Sequence, residues 1–527
     1  MLNSGTISIK HQTVVGLCVT VLGVLLAWEI GGWIVAGDLA QVGYLAVAAA
    51  VAAVGIGILR NWRSGVYMFL IWLVFEDLVR KYLGNNMAIF FAKDVIAALI
   101  YISIIRAVGN HQEKAFRPPF LLAISFFFWW AAIQIFNPYS PSPLYGLLGL
   151  KIYFFYLPCT FAGYALIRND QDLRRFLTVI LSAATVVAGL GIIQAVVGPQ
   201  FLNPATLAPE IRELAALDKV TPLTQQTFHL PSSVFVSAGR YGQYLFSSVV
   251  LGMGAAGYLL LHGGRGKRLV LVSLGVIAVG VLFCGLRGTL ILSVVSAGVM
   301  SLAFLWGAPW RNRQAHRVLK AIRHTVIVMG ICLVLAALIL PEEVGKRWNF
   351  YSETLSPSSS AYELSHRTWD YPLHEFMLAF SGSHWAVGNG TGTASLGVQY
   401  VSKLLGEMPP QVSVESGFGS LLAEFGIAGP ILWLIWATAL MISCWHVVIK
   451  LRQTRMFPLG FAVFWFAFVL LFPETFGSIN SYQDYVMNAT LWLLVGIMYR
   501  LPELVAMQSA ALAGPAVTLR ASQLQSP

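Results

Sequence analysis

Charge is what this chain has least of. Only 11% of its 527 residues are Asp, Glu, Lys or Arg, against about 25% in soluble domains, and that excludes a water-soluble globule. Cysteine supplies no framework. The five (Cys18, Cys159, Cys284, Cys332, Cys444) stand singly, with no CxxC and no His at ligand spacing, which argues against a disulfide scaffold and a zinc site. No internal repeat is visible. The first apolar run, from near Thr13, follows a single Lys and has no small-residue cleavage site before the next run, so it reads as a retained membrane helix.

What the chain has is apolar surface: 57% of its residues are hydrophobic. The runs are near 20 residues long without strand-like alternation, and in lipid every backbone amide must be satisfied internally, so the spans are predicted to be helices. Breaking the runs at charge, Pro and Gly gives about fourteen, beginning near residues 13, 39, 65, 87, 117, 146, 173, 241, 268, 288, 324, 413, 456 and 484. The expected fold is an all-α polytopic membrane protein. Helices 1–11 fall in residues 1–340, a large helical loop in 341–411, helices 12–14 in 412–502, and a disordered cytoplasmic tail in 503–527. The formal net charge is +11, yet most Lys and Arg gather at alternate junctions between spans. That pattern marks the cytoplasmic side, where both termini are expected, and assigns the basic excess to anionic membrane lipids rather than to nucleic acid.

The informative residues are polar groups that burial in a membrane makes expensive. Arg240, in SAGRYGQYLF, and Arg287, in FCGLRGTLILS, fall at the same outer face. Two guanidiniums on helix ends are suited to clamp a phosphate diester or diphosphate. In the long outer loop, ELSHRTWDY carries His366 and Arg367. Glu363, His366 and Asp370 could share a helix face there, but their spacing is too loose for a metal site, and a solvated face is expected. VGNGTGTASLG reads as a backbone turn packed over the site. Glu415 opens the next span, where a helix N-terminus favours an acid, with Ser413 or Ser416 in the same capping role. Glu424, deeper in that span, needs a partner. Glu76, Asp77, Arg80 and Lys81 are expected to pair with Lys93 and Asp94, whereas Lys151 has no sequence-local partner and is the better substrate contact.

GRYG with Arg240 and Tyr241, then GLRGTL, then an outer loop with an R-x-W segment and a GNGTG turn, and finally ESGFGSLLAEFGIAG, together resemble the bacterial O-antigen ligase and polymerase superfamily. The resemblance runs over about Arg240 to Pro430. It implies a metal-free, cofactor-free glycosyltransferase of the bacterial inner membrane. Such an enzyme moves a glycan from undecaprenyl diphosphate to a saccharide or lipid acceptor at the periplasmic face. By position, Arg240 and Arg287 match diphosphate-binding arginines, and Arg367 matches an arginine of the outer loop. Where ligase members usually have His followed by Asn, this chain has Val414-Glu415-Ser416, which leans toward polymerase-like chemistry. The expected site is therefore Glu415 or His366 as base, with Arg240, Arg287, Arg367, Lys151 and Tyr241 on the substrate. A transporter or flippase of a polar or lipid-linked substrate is the alternative.

Overall fold

A computed structural model describes residues 39–262, 266–309, 340–410 and 414–513, with isolated helical positions between 316 and 338. The chain divides into two units, residues 1–65 and 66–527. In the first, helix α1 (Leu39–Arg60) ends at Arg60, and the Asn61 side chain accepts from the Ser64 N–H at 3.3 Å to open the next helix.

In the second unit the helices are α2 (Trp62–Leu83, begun in the first unit), α3 (Met87–Gly109), α4 (Leu121–Ile133), α5 (Pro143–Phe154), α6 (Cys159–Leu166), α7 (Asp170–Val197), α8 (Pro209–Ala215), α9 (Ala238–His262), α10 (Lys267–Phe283), α11 (Arg287–Gly307), α12 (Pro341–Leu355), α13 (Tyr371–Ala379), α14 (Val398–Leu405), α15 (Gly417–Phe425), α16 (Ala428–Leu451), α17 (Phe457–Val469) and α18 (Tyr485–Ala513). Among the described residues, eight helical stretches are long and apolar enough to cross a membrane. Ile105, Leu122, Leu302 and Leu305 are each about 70% exposed on these helices or on α4 beside them. A soluble protein would bury such residues, and lipid solvates them. The chain is a multi-pass, all-α membrane protein.

The expected count of fourteen is not reproduced. The spans expected near 13 and 324 lie outside, or largely outside, the described residues. Those near 65, 117 and 268 do form helices, but α2 carries Arg63, Glu76, Asp77, Arg80 and Lys81, while α4 and α10 have only 13 and 17 residues. The span expected near 413 is broken at Gly426 (φ +67), where a Cβ would stand 2.3 Å from the Ala386 carbonyl, leaving α15 and α16 as separate helices. The helix at the C-terminal end runs beyond Glu503 to Ala513, so the part of the predicted tail within 503–513 is helical, and the rest lies outside the described residues.

Packing places α9 at the centre, against α10, α11 and α17, with α7 behind α10. Where α6 crosses α18 the approach is close enough to need glycine from both sides. A Cβ on Gly163 would lie 2.0 Å from the Leu493 carbonyl, and one on Gly496 2.0 Å from that of Thr160, the small-residue contact by which helices associate in lipid. The connection 198–237 is not purely helical. Strands β1 (Asp218–Val220) and β2 (Thr227–His229) pair antiparallel, with Lys219 opposite Phe228.

Candidate functional site

Two backbone devices fix the hairpin and the start of α11. The chain reverses from α10 into α11 through Gly285, at φ +71, where a Cβ would stand 2.6 Å from Leu230 and 2.8 Å from Phe228. Only glycine meets both demands without displacement. The reversal leaves Arg287 as the first residue of α11, an end whose free N–H groups favour an anion and disfavour a cation. α12 anchors the hairpin. Its Arg347, 3% exposed, donates to the carbonyls of Phe283 (3.0 Å), His229 (3.1 Å) and Ala195 (3.3 Å) and to the Glu343 carboxylate (2.6 Å). Its Glu353 accepts from the N–H groups of Leu223 (2.7 Å) and Thr224 (3.2 Å) in the hairpin loop. Phe228, Leu230, Ala238, Phe350 and Tyr351 form the apolar cluster beneath.

These elements enclose a cavity of about 530 Å³. One part of its wall is cationic: Lys219 from β1, Arg287 from α11 and Arg367 from the loop. The two arginines converge on one carboxylate, Glu363, 2.8 Å from Arg287 and 3.8 Å from Arg367. The half-buried Lys219 amine is held below the ordinary lysine range, first by desolvation and then by repulsion from Arg287 and Arg367, with Glu363 opposing. Its neighbours are thus close enough to be felt, and the wall carries three cations against two carboxylates, Glu363 and Glu474. Phe246, Leu286, Ile291 and Leu292 give the cavity apolar wall, and Gln243, Glu474 and Ser481 close it with polar groups.

The expected site residues divide between this cavity and other places. Arg287 and Arg367 line it; Arg240 does not, although Gly239 and Gln243 on the same helix do. The Arg240 guanidinium lies between Asp77 (2.9 Å) and Asp484 (2.7 Å), over the Tyr485 ring. Tyr241 is fully buried, donating to the Ala188 carbonyl at 3.3 Å, and fills the space left by Gly191. Lys151 has a partner after all, Asp94 at 2.6 Å, and lies over the rings of Phe90 and Phe91. The expected pairing of α2 with α3 is present as Glu76 to Lys93, 3.2 Å, within a buried group that includes Arg80 and Asp77. His366 is exposed on a π-helical turn, its ring 6.1 Å from that of Tyr371. Glu415 is exposed as well. It accepts from the Tyr371 hydroxyl at 2.8 Å, which raises the proton affinity of that phenol, and its N–H donates to Glu375. The cap of α15 is Ser416; Ser413 lies outside the described residues.

Two further expectations change. Glu363 faces Arg287 and Arg367 rather than a shared acidic face with His366 and Asp370. The glycine-rich turn at Gly388, Gly390 and Gly392, all at positive φ, packs on α5 and the end of α15 and does not line the cavity. It supplies the partner that Glu424 needs: the Ala394 N–H donates to that carboxylate at 2.9 Å, alongside the Tyr153 hydroxyl at 3.1 Å.

Lys219, Glu474 and Gln243 were missing from the expected site. Lys219 sits in an ordinary polar connection with no motif around it. Glu474 did carry a signal, as the lone acid after Pro473 in an otherwise apolar run. No protein-family model matches this chain, and no curated protein matches it either.

Proposed function

We propose that the chain is a glycosyltransferase of the bacterial inner membrane. On this reading it moves a glycan from undecaprenyl diphosphate to a saccharide or lipid acceptor at the periplasmic face, as a polysaccharide polymerase or an O-antigen-type ligase. The observation that carries the reading is the pairing of Arg287 and Arg367 with one carboxylate, Glu363, beside Lys219 in the wall of a cavity that is otherwise largely apolar. The order of the motifs from GRYG to ESGFGSLLAEFGIAG supports it from the sequence side.

The chemistry follows from the charges. A glycosyl diphosphate already has a good leaving group, so the general acid that hydrolysis of an ordinary glycoside requires is dispensable. Cations must absorb the charge that develops on the diphosphate, and guanidiniums held by the fold do so without reorganising. Arg287 offers a planar fork to the phosphate oxygens at a helix N-terminus. Arg367 reaches the same place from the loop, where Glu363 stands in for the anion until the diphosphate arrives. The apolar wall suits the first isoprene units, and a cover of loop residues limits loss of the glycan to water. Arg240 acts at one remove, by holding α2, α9 and the start of α18 together.

The test is incubation of the purified full chain in nanodiscs with a lipid-diphosphate oligosaccharide. A ladder of products marks a polymerase, a single transfer marks a ligase, and Arg287→Ala loses either. Wild-type protein that forms no glycosidic bond overturns the reading; passage of the same donor across sealed vesicles by that protein would then favour the flippase alternative.

A further inference from the structure

We propose that Glu474 is the general base that takes the proton of the acceptor hydroxyl, an inference that rests on the glycosyl-transfer reading above. Transfer needs one such base. Glu363, the other carboxylate in the cavity wall, is already engaged by Arg287 and Arg367. Glu415 and His366 do not line the cavity. Glu474 lines it and, among the described residues, has no Lys, Arg or His within 4.0 Å. Its neighbour is a neutral relay instead. The Gln243 amide donates to the Ser481 hydroxyl oxygen, leaving the Ser481 proton for the Glu474 carboxylate.

The backbone is built to present this residue. α17 gives way to a π-helical turn, Leu470–Glu474, with Pro473 inside it. Proline removes an N–H from the helical ladder, and side chains brace the turn: the Thr475 hydroxyl donates to the Leu470 carbonyl at 2.9 Å and the Trp433 indole to that of Leu471 at 3.2 Å. The turn is therefore fixed, and turns of this kind concentrate at functional sites.

In the step, the acceptor O–H proton passes to the Glu474 carboxylate as the acceptor oxygen bonds to the anomeric carbon. The bond from that carbon to the diphosphate oxygen breaks, its electron pair stays on the diphosphate facing Lys219, Arg287 and Arg367, and Glu474 later returns the proton to water. Gln243 and Ser481 are positioning residues.

The experiment measures transfer and donor binding separately in full-length protein. Glu474→Gln, nearly isosteric, is expected to lower the transfer rate by about 100-fold or more, the lower end of general-base effects, with donor affinity within about twofold of wild type. In Glu474→Ala, added formate is expected to restore part of the rate by supplying the missing carboxylate. Glu474→Gln within about threefold of wild-type transfer overturns the inference while leaving glycosyl transfer standing. Loss of donor binding together with transfer also overturns it, because the side chain would then shape the pocket. Wild-type protein that neither binds nor transfers the donor removes both readings.

Discussion

The two glycines flanking Arg287 should respond to the same substitution with opposite signs. Gly285 sits at φ +71, and a Cβ there would stand 2.6 Å from Leu230 Cδ2 and 2.8 Å from Phe228 Cε2. Gly285→Ala therefore pays for a left-handed backbone, about 1–2 kcal/mol, and for overpacking the cluster under the hairpin, about 1–3 kcal/mol more. The expected total is roughly 2–5 kcal/mol. Gly288 is the second residue of α11, at ordinary φ, with nothing within 4 Å of a Cβ, so Gly288→Ala gains helix propensity, up to about 1 kcal/mol. Thermal unfolding in one detergent, followed by tryptophan fluorescence, ranks the three proteins. Gly285→Ala is expected to melt lowest and to loosen the hairpin that carries Lys219, seen as faster proteolysis near Lys219. Equal melting of the two variants would refute the claim that the reversal at Gly285 sets the position of Arg287.

Further outcomes follow from the charges. Arg240→Ala leaves the buried Asp484 without its cationic partner and Asp77 with Arg80 alone, a loss of about 3–5 kcal/mol for a broken buried pair. It should cut the yield of folded protein, measured by size-exclusion chromatography, whereas Arg287→Ala should not. Glu363→Gln removes the carboxylate that competes for the cations and should tighten binding of a soluble diphosphate up to about fivefold, within the range of a partly exposed pair, as calorimetry would read. Lys219 is depressed below its ordinary value by desolvation and by Arg287 and Arg367. Diphosphate affinity should thus fall as pH rises through that depressed value, below the usual lysine range, and Lys219→Met should flatten this slope. The sign for stability is opposite: the unfolded chain binds the Lys219 proton more tightly, so this group's contribution to stability rises with pH over the same window. Glu424→Leu leaves the Ala394 N–H and the Tyr153 hydroxyl without their acceptor, and limited proteolysis should then open the 387–396 turn first.

Hydropathy made the helices legible because burial in lipid leaves one solution for the backbone, and most expected starts coincide with a helix. It could not count spans, because length and apolarity do not register a break such as that at Gly426, nor a helix such as α2 in which Glu76, Asp77, Arg80 and Lys81 find partners inside the fold. The site was half legible. Arg287 and Arg367 were found because a guanidinium in an apolar or aromatic setting is conspicuous. Arg240 was conspicuous for the same reason, but its partners, Asp77 and Asp484, come from far along the chain, and no periodicity shows which charges meet across helices. Lys151 misled in the same way, since Asp94 reaches it from another helix. Lys219 carries no local mark at all; only the hairpin, pinned by Arg347 and Glu353, brings it to the cavity.

The central claim is that Lys219, Arg287 and Arg367 form the seat of a diphosphate. Its most direct test is calorimetric titration of full-length protein in nanodiscs with a short-chain prenyl diphosphate, comparing wild type with Arg287→Ala. Loss of a charge-assisted contact of about 1.5–3 kcal/mol predicts affinity lower by roughly tenfold to a hundredfold in the variant. Equal affinity in the two proteins, or no binding to wild type, would contradict the claim.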